Sequence, residues 1–180
     1  SAASDVYKRQ PEVIFKEAND LVASGVKEIT LLGQNVNAYL AKNNAGLDLG
    51  LAGLIKKICV ISDLKRLRFI TSHPRDMTNN LIDLFGEEEK LMPYLHLPIQ
   101  SGSDKILKRM NRGHTVKSYI ATIDRLRKIM IDEVLKRGWI LGSENKYYVR
   151  FLTPTIRPLI YYNQKKVGWN KGESFLFEIY

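Results

Sequence analysis

The stretch YLHLPIQSGSDKILKRMNRGHT, residues 94–115, decides how the rest of the chain is read. Residues 94–99 predict a short apolar strand, with His96 alternating between Leu95 and Leu97. Gln100, Ser101, Gly102 and Ser103 make a polar, glycine-bearing turn, and a basic helix is expected from about Asp104, with Ser103 as its cap. A strand that carries Gln and Ser to its C-terminal end, just ahead of a helix N-terminus, is suited to hold a polar ligand.

Upstream, the same pattern of strand and polar end occurs twice more. An apolar run at 28–32 breaks at Gly33 and continues into Gln34 and Asn35. A second run at 67–70 ends in Thr71, Ser72, His73 and Pro74. Helices are expected between them. Pro11 opens one, Ile14, Ala18, Leu21 and Val22 share its face, and Gly25 closes it. A second covers 49–61 with Leu54, Ile55, Ile58 and Cys59, after a loop rich in Asn and Gly at 34–46. Thr78 caps a third through Leu81, Ile82 and Phe85, closed by Gly86 and the acidic run 87–89. Thr115 caps a longer helix in which Tyr119, Ile123, Leu126 and Met130 share a face.

Strands alternating with helices imply βαβ units, a parallel sheet and an α/β fold. The C-terminal strand ends of such a sheet share one edge, so the three polar ends predict one pocket. Polar residues also end strands for purely local reasons, and that reading stays open. Residues 1–10 have no periodicity and are read as a tag or artefact. Residues 11–129 form the α/β unit. Residues 130–180 change texture: short aromatic and β-branched runs at 139–141, 147–152, 159–162 and 174–180 read as weak strands. That tail is unassigned, and a frameshift or a chimeric join would each produce it.

Composition limits the classes. The chain has 180 residues and a formal net charge of +9, which suits a polyanionic partner such as RNA, although a basic solubility charge is the blander account. No apolar run is long enough to cross a membrane and residues 1–10 lack a signal-peptide core, so a cytoplasmic protein without a membrane partner is expected. The single cysteine, Cys59, lies among apolar residues and reads as a buried, inert thiol. One cysteine forms no internal disulfide and cannot supply the three thiolates of an iron–sulfur cluster. No metal-ligating set and no Ser-His-Asp or Cys-His set can be picked out, so the catalytic residues stay unknown.

The segments LLGQNVNAY (31–39), RFITSHPRDM (68–77) and HLPIQSGS (96–103), at these separations, resemble the radical-SAM methylthiotransferases of the MiaB type, over about 11–129. The resemblance implies a partial (β/α) barrel of radical-SAM type, truncated here and followed by a C-terminal segment foreign to the family. It implies S-adenosylmethionine as cofactor, a 4Fe-4S cluster held by a CxxxCxxC loop, and a second cluster on an N-terminal domain. It also implies tRNA as partner through the anticodon stem-loop, and methylthiolation at C2 of an isopentenylated adenosine. The cluster loop would lie just ahead of Pro11, where SAASDVYKRQ stands, so no cluster and no turnover are expected of this chain alone, which is read as an internal fragment of the radical-SAM domain and as a monomer.

Carried over residue by residue, the resemblance assigns Gly33, Gln34 and Asn35, then Ser72 and His73, then Gln100 and Ser101, to a partial S-adenosylmethionine site. His96 is divided between lining that pocket and filling the core, and His114 is expected to be exposed. Lys105, Lys108, Arg109 and Arg112 follow helical spacing along one face and are candidates for tRNA phosphates, or simply a solvated face. Two other readings compete with the enzyme fragment. One is a non-catalytic basic RNA-binding module; the other is an unrelated barrel enzyme acting on a phosphorylated metabolite, which would want a glycine-rich phosphate loop that is not seen.

Overall fold

The computed structural model describes residues 9–136 and the strand segments 140–144, 148–152 and 176–178. Helix α1 (Pro11–Ala23) begins at its proline, which needs no hydrogen-bond partner for its nitrogen. It ends at Gly25, whose φ of +104° is easy only for a residue without a Cβ. There the amides of Gly25 and Val26 donate to the carbonyls of Val22 (2.9 Å) and Leu21 (3.1 Å), closing the last turn. Strand β1 (Glu28–Leu31) follows, then a 3₁₀ turn at Val36–Ala38.

The segment expected as loop, 34–46, holds more structure than its composition suggested. β2 (Leu40–Lys42) and β3 (Asp48–Gly50) pair as an antiparallel hairpin. Its turn is closed by Asn43, whose side-chain oxygen accepts the amides of Ala45 and Leu47, each at 3.0 Å. Leu49 and Gly50 are thereby drawn into a strand, so α2 is Leu51–Cys59 rather than 49–61. It buries Leu51, Ala52, Leu54, Ile55, Ile58 and Cys59.

Strand β4 (Arg66–Phe69) pairs parallel with β1, from Glu28 opposite Arg66 to Leu31 opposite Phe69. The strand's alternation puts Leu67 and Phe69 into the core, both fully buried. It puts Arg66 and Arg68 on the other face, where both reach Glu28, at 2.6 and 3.1 Å. A 3₁₀ turn at Pro74–Asp76 leads to α3 (Asn79–Glu87), which runs on through Gly86. Thr78 precedes α3 but its hydroxyl donates to the Asn80 side chain and caps no amide. The rings of Phe69 and Phe85 meet at 5.7 Å between centroids, tying β4 to α3.

The strand expected at 94–99 is not part of a ladder. Leu67 donates to the Lys90 carbonyl (2.7 Å) and Met92 donates to that of Leu67 (2.9 Å), which makes one isolated bridge between Leu67 and Leu91. Beyond it, a contact from the Ser72 amide to the His96 carbonyl (3.3 Å) is all that ties the segment's backbone to the stretch after β4. Pro93 and Pro98 remove the amides that a regular ladder would need. The side-chain alternation survives: Leu95 and Leu97 are fully buried and His96 between them is half-buried.

Helix α4 (Asp104–Arg109) is short, and the Ser103 side chain does not cap it. Instead the Asp104 carboxylate accepts the Val116 amide (2.7 Å), joining the starts of α4 and α5 (Val116–Lys136). Thr115 does cap α5, its hydroxyl accepting the Ser118 amide at 3.1 Å. Tyr119, Leu126 and Met130 are the buried residues of the predicted α5 face.

The described sheet around the core is thus small, β1 with β4, flanked by helices, and no closed barrel forms among the described residues. In the tail, β5 (Ile140–Glu144), β6 (Tyr148–Leu152) and β7 (Leu176–Glu178) pair antiparallel in that order. The run at 159–162 lies outside the described residues, as do residues 1–8. Among the described residues no helix is long and apolar enough to cross a membrane.

If packing rather than backbone pairing holds the 94–99 segment, truncating its core side chain should cost as much as truncating one inside the ladder. Leu97→Ala and Leu67→Ala are each expected to destabilise the chain by about 2–5 kcal/mol. Chemical denaturation of both variants checks this, and a near-neutral Leu97→Ala would show that the segment is peripheral.

Candidate functional site

Because β1 and β4 run parallel, both strands leave the sheet at the same edge. The turns that follow, 32–38 and 70–77, are laced together there. The Val36 amide donates to the Thr71 carbonyl at 3.1 Å. The Thr71 hydroxyl donates to the Gly33 carbonyl. The side-chain amide of Asn37, which is buried, pairs with the backbone of His73 in both directions: it donates to the His73 carbonyl and accepts the His73 amide, each at 2.9 Å. Asn35 donates to the Asp76 carboxylate at 2.7 Å.

This lacing holds the backbone in an unusual shape. Thr71 has φ +64° and Gln100 φ +74°. A β-branched residue in the left-handed region is strained and persists only when its surroundings fix it. The two turns fix Thr71 through its carbonyl and its hydroxyl.

His73 and Asp76 are electrostatically tuned by what they touch. His73 Nδ1 accepts the Arg75 amide at 3.1 Å, so the neutral ring carries its proton on Nε2. Burial, and then the Arg112 guanidinium, hold the His73 imidazole below its ordinary value. Burial pushes the Asp76 carboxyl up, but the hydrogen bonds from Asn35 and Arg75 outweigh it, and Asp76 lies below the usual carboxylate range.

The turn between α4 and α5 closes against this group. The His114 ring stands edge-on to His73, with centroids 5.8 Å apart and planes at 82°. Tyr119 lies 6.2 Å from His114 on the other side. The Tyr119 hydroxyl donates to the Leu97 carbonyl at 2.8 Å, and burial pushes that phenol up to about 12.

The expected site residues fall into two groups. Asn35 reaches the turn after β4, which carries Ser72 and His73, through its bond to Asp76, with Gly33 and Gln34 exposed on the turn after β1. Gln100 is exposed, and Ser101 is half-buried with its hydroxyl accepting the Ser103 amide at 3.2 Å. Among the described residues no hydrogen bond joins Gln100 or Ser101 to Asn35, Ser72 or His73. Lys105, Lys108 and Arg109 are exposed on α4. Arg112 does not continue their face: α4 ends at Arg109, Asn111 takes a left-handed φ of +54°, and Arg112 is half-buried, its charge acting on His73. His114, expected to be exposed, is half-buried for the same reason.

Sequence reasoning missed Asn37, Arg75, Asp76 and Tyr119. Asn37 and Asp76 stand inside the quoted motifs 31–39 and 68–77, but their partners lie 36 and 41 residues away in sequence. Cys59 is buried on α2, and burial pushes its thiol up to about 12. Among the described residues no group of three or more His, Cys, Asp or Glu side chains is placed to hold a metal ion.

Comparison with known proteins adds the chemistry. The Radical SAM superfamily profile matches residues 1–150. The chain is 55% identical over 134 residues to a tRNA-2-methylthio-N(6)-dimethylallyladenosine synthase of Ruegeria pomeroyi, covering 74% of this chain and 30% of that protein. Synthases of the same name from Zymomonas mobilis and Rickettsia rickettsii are each 53% identical over 142 and 136 residues, covering 76% of this chain and 32% and 31% of theirs. The chain therefore spans about a third of the length of these curated relatives.

The Asn37–His73 pair is the test of the site's rigidity. Asn37→Ala leaves the part-buried amide of His73 without a partner, while the His73 carbonyl keeps the Asp76 amide at 3.0 Å, and is expected to cost about 1–3 kcal/mol. Thermal unfolding of the variant checks this; an unchanged midpoint would show that water replaces the side chain at no cost.

Proposed function

The chain belongs to the radical SAM superfamily, and from that premise we propose that it is a segment of the S-adenosylmethionine-binding core of a tRNA methylthiotransferase. Residues 11–129 are then part of the family's (β/α) barrel. The parent enzyme methylthiolates C2 of an isopentenylated adenosine beside the anticodon, acting in the cytoplasm as a monomer.

One observation carries the cofactor reading. Asn35 Oδ1 and Ser72 Oγ are buried atoms without a hydrogen-bond partner among the described residues, and both sit at the strand ends. An unpaired buried polar atom is costly and calls for a ligand group. An amide oxygen accepts and a hydroxyl does both, which suits the ammonium and carboxylate of an amino acid. When bound, S-adenosylmethionine supplies a methyl group and an alkyl fragment able to take hydrogen from carbon. Asn35 and Ser72 hold its polar end. Gly33, where a Cβ would meet Val36 Cγ2 at 3.2 Å, and Gln34 line the approach from β1. His73 and, across the turn, Gln100 and Ser101 complete the partial site. Lys105, Lys108, Arg109 and Arg112 face the tRNA phosphates.

An iron–sulfur cluster does not fit the residues in hand. Such a cluster takes three or four thiolates from its protein, and the only cysteine of these 180 residues is the buried Cys59. No step through a cluster is assigned to this segment, which by itself is proposed to be inactive. Anaerobic incubation with iron and sulfide is expected to give no stoichiometric cluster absorption, and a stoichiometric spectrum would refute the assignment.

The cofactor reading has its own test. Equilibrium dialysis with S-adenosylmethionine should show binding that weakens by about tenfold or more in Ser72→Ala and in Asn35→Ala, the scale of one hydrogen bond to a charged group. Equal binding by both variants and the parent chain would place the ligand elsewhere.

A further inference from the structure

The turn between α4 and α5 is built around Arg75. Asn111 and Gly113 both take left-handed backbone, at φ +54° and +66°. A Cβ on Gly113 would lie 2.8 Å from Arg75 Cδ, so the glycine is what lets the two turns close. The reversals bring residues 112 and 114 against residues 73 and 75 of the turn after β4. Arg112 bears on His73 electrostatically, and His114 meets His73 edge-on at 5.8 Å.

Positive charge in this cluster outruns its compensation. The groups acting on His73 are Arg112, Asp76, Arg75 and His114. Asp76, the one carboxylate among them, is already engaged by Asn35 at 2.7 Å and by Arg75 at 3.2 Å. Two atoms are left over: Arg112 Nε and His114 Nε2 are buried without a hydrogen-bond partner among the described residues. His114 Nδ1 lies 3.3 Å from the Arg112 carbonyl, so it carries the proton there and Nε2 gains one only when the ring is charged. Its other ring neighbour is Tyr119, whose hydroxyl is committed to Leu97. A buried guanidinium N–H with no acceptor calls for an anionic one.

We propose that Arg75, Arg112, His73 and His114 form an oxyanion subsite that holds a phosphodiester of the RNA substrate. The subsite rests on the functional reading above and deepens it. It lies just past the C-terminal end of α4, whose Lys105, Lys108 and Arg109 are exposed, although the left-handed Asn111 turns Arg112 off their face. A cluster with two arginines and two histidines exceeds what a single carboxylate needs and suits a polyanion.

The test uses the full 180-residue chain and a labelled RNA stem-loop, followed by fluorescence anisotropy across a salt series. A phosphodiester stays ionised throughout, so tightening as the pH falls through and below the ordinary imidazole range reports protonation of His73. Affinity is expected to rise several-fold over that range, and the rise should flatten in His73→Gln. Arg112→Ala should lower the salt slope by about 0.7–0.9, one phosphate contact. Histidine ring resonances of the unsubstituted chain give a readout independent of any variant's folding: those of His73 and His114 should move on adding RNA. RNA binding with unmoved resonances and an unchanged slope would overturn the subsite while leaving the functional reading standing. His73 borders the proposed cofactor site, so its resonance responds to either ligand. If S-adenosylmethionine alone moves the His114 resonances and RNA adds nothing, the anion is the cofactor's carboxylate and the proposal is wrong. Failure to bind RNA at all would overturn the functional reading and the subsite together.

Discussion

The parallel pairing of β1 with β4 is the constraint on which the site depends. It is only four residue pairs long, from Glu28 opposite Arg66 to Leu31 opposite Phe69. What makes so short a ladder hold is its two faces. Leu67 and Phe69 are sealed in the core, Phe69 against Phe85 of α3, and each such side chain contributes about 1.5–3 kcal/mol through its removal from water. On the other face Glu28 is shared by Arg66 and Arg68. That ion pair is partly exposed and adds little stability of its own, but it favours this register over a slipped one. With the register set, the polar ends of both strands arrive together.

The turns beyond the ladder are where regular structure gives way to side-chain hydrogen bonding. Asn37 does for His73 what a neighbouring strand would do, satisfying its amide and carbonyl at once. Asn35 and the Thr71 hydroxyl add cross-links between the same two turns. Such lacing can hold a β-branched residue in the left-handed region, because the cost of that φ is spread over several bonds. A rigid polar rim of this kind suits ligand binding, since little conformational freedom remains to be lost when the ligand arrives.

Charge is distributed to match. Negative groups near the strand ends are few, and Asp76 is consumed by its neighbours. Burial and Arg112 together keep His73 uncharged to lower pH than a free imidazole, so in the absence of an anion the pocket avoids accumulating buried positive charge. An anion reverses that balance by stabilising the protonated ring.

Much of this was legible in the chain itself. Periodicity gave the helices, Pro11, Gly25 and Thr115 marked three of their ends, and the motifs at 31–39, 68–77 and 96–103 identified the family, because each depends on neighbours within one turn or one face. Asn35, Ser72 and His73 were picked out by their place at strand ends, and Asn35 bonds into the turn that carries the other two. Other features needed tertiary structure. The prolines at 93 and 98 stopped a predicted strand from entering the ladder, and Asn43 turned an apparent loop into a hairpin. Arg112 and His114 left their expected exposed positions because two left-handed residues reversed the chain behind α4. Asn37 and Asp76 became site residues only through partners 36 and 41 positions away. Local patterns record what a residue can do within its own element, whereas the pocket is made by contacts between elements that no local period encodes.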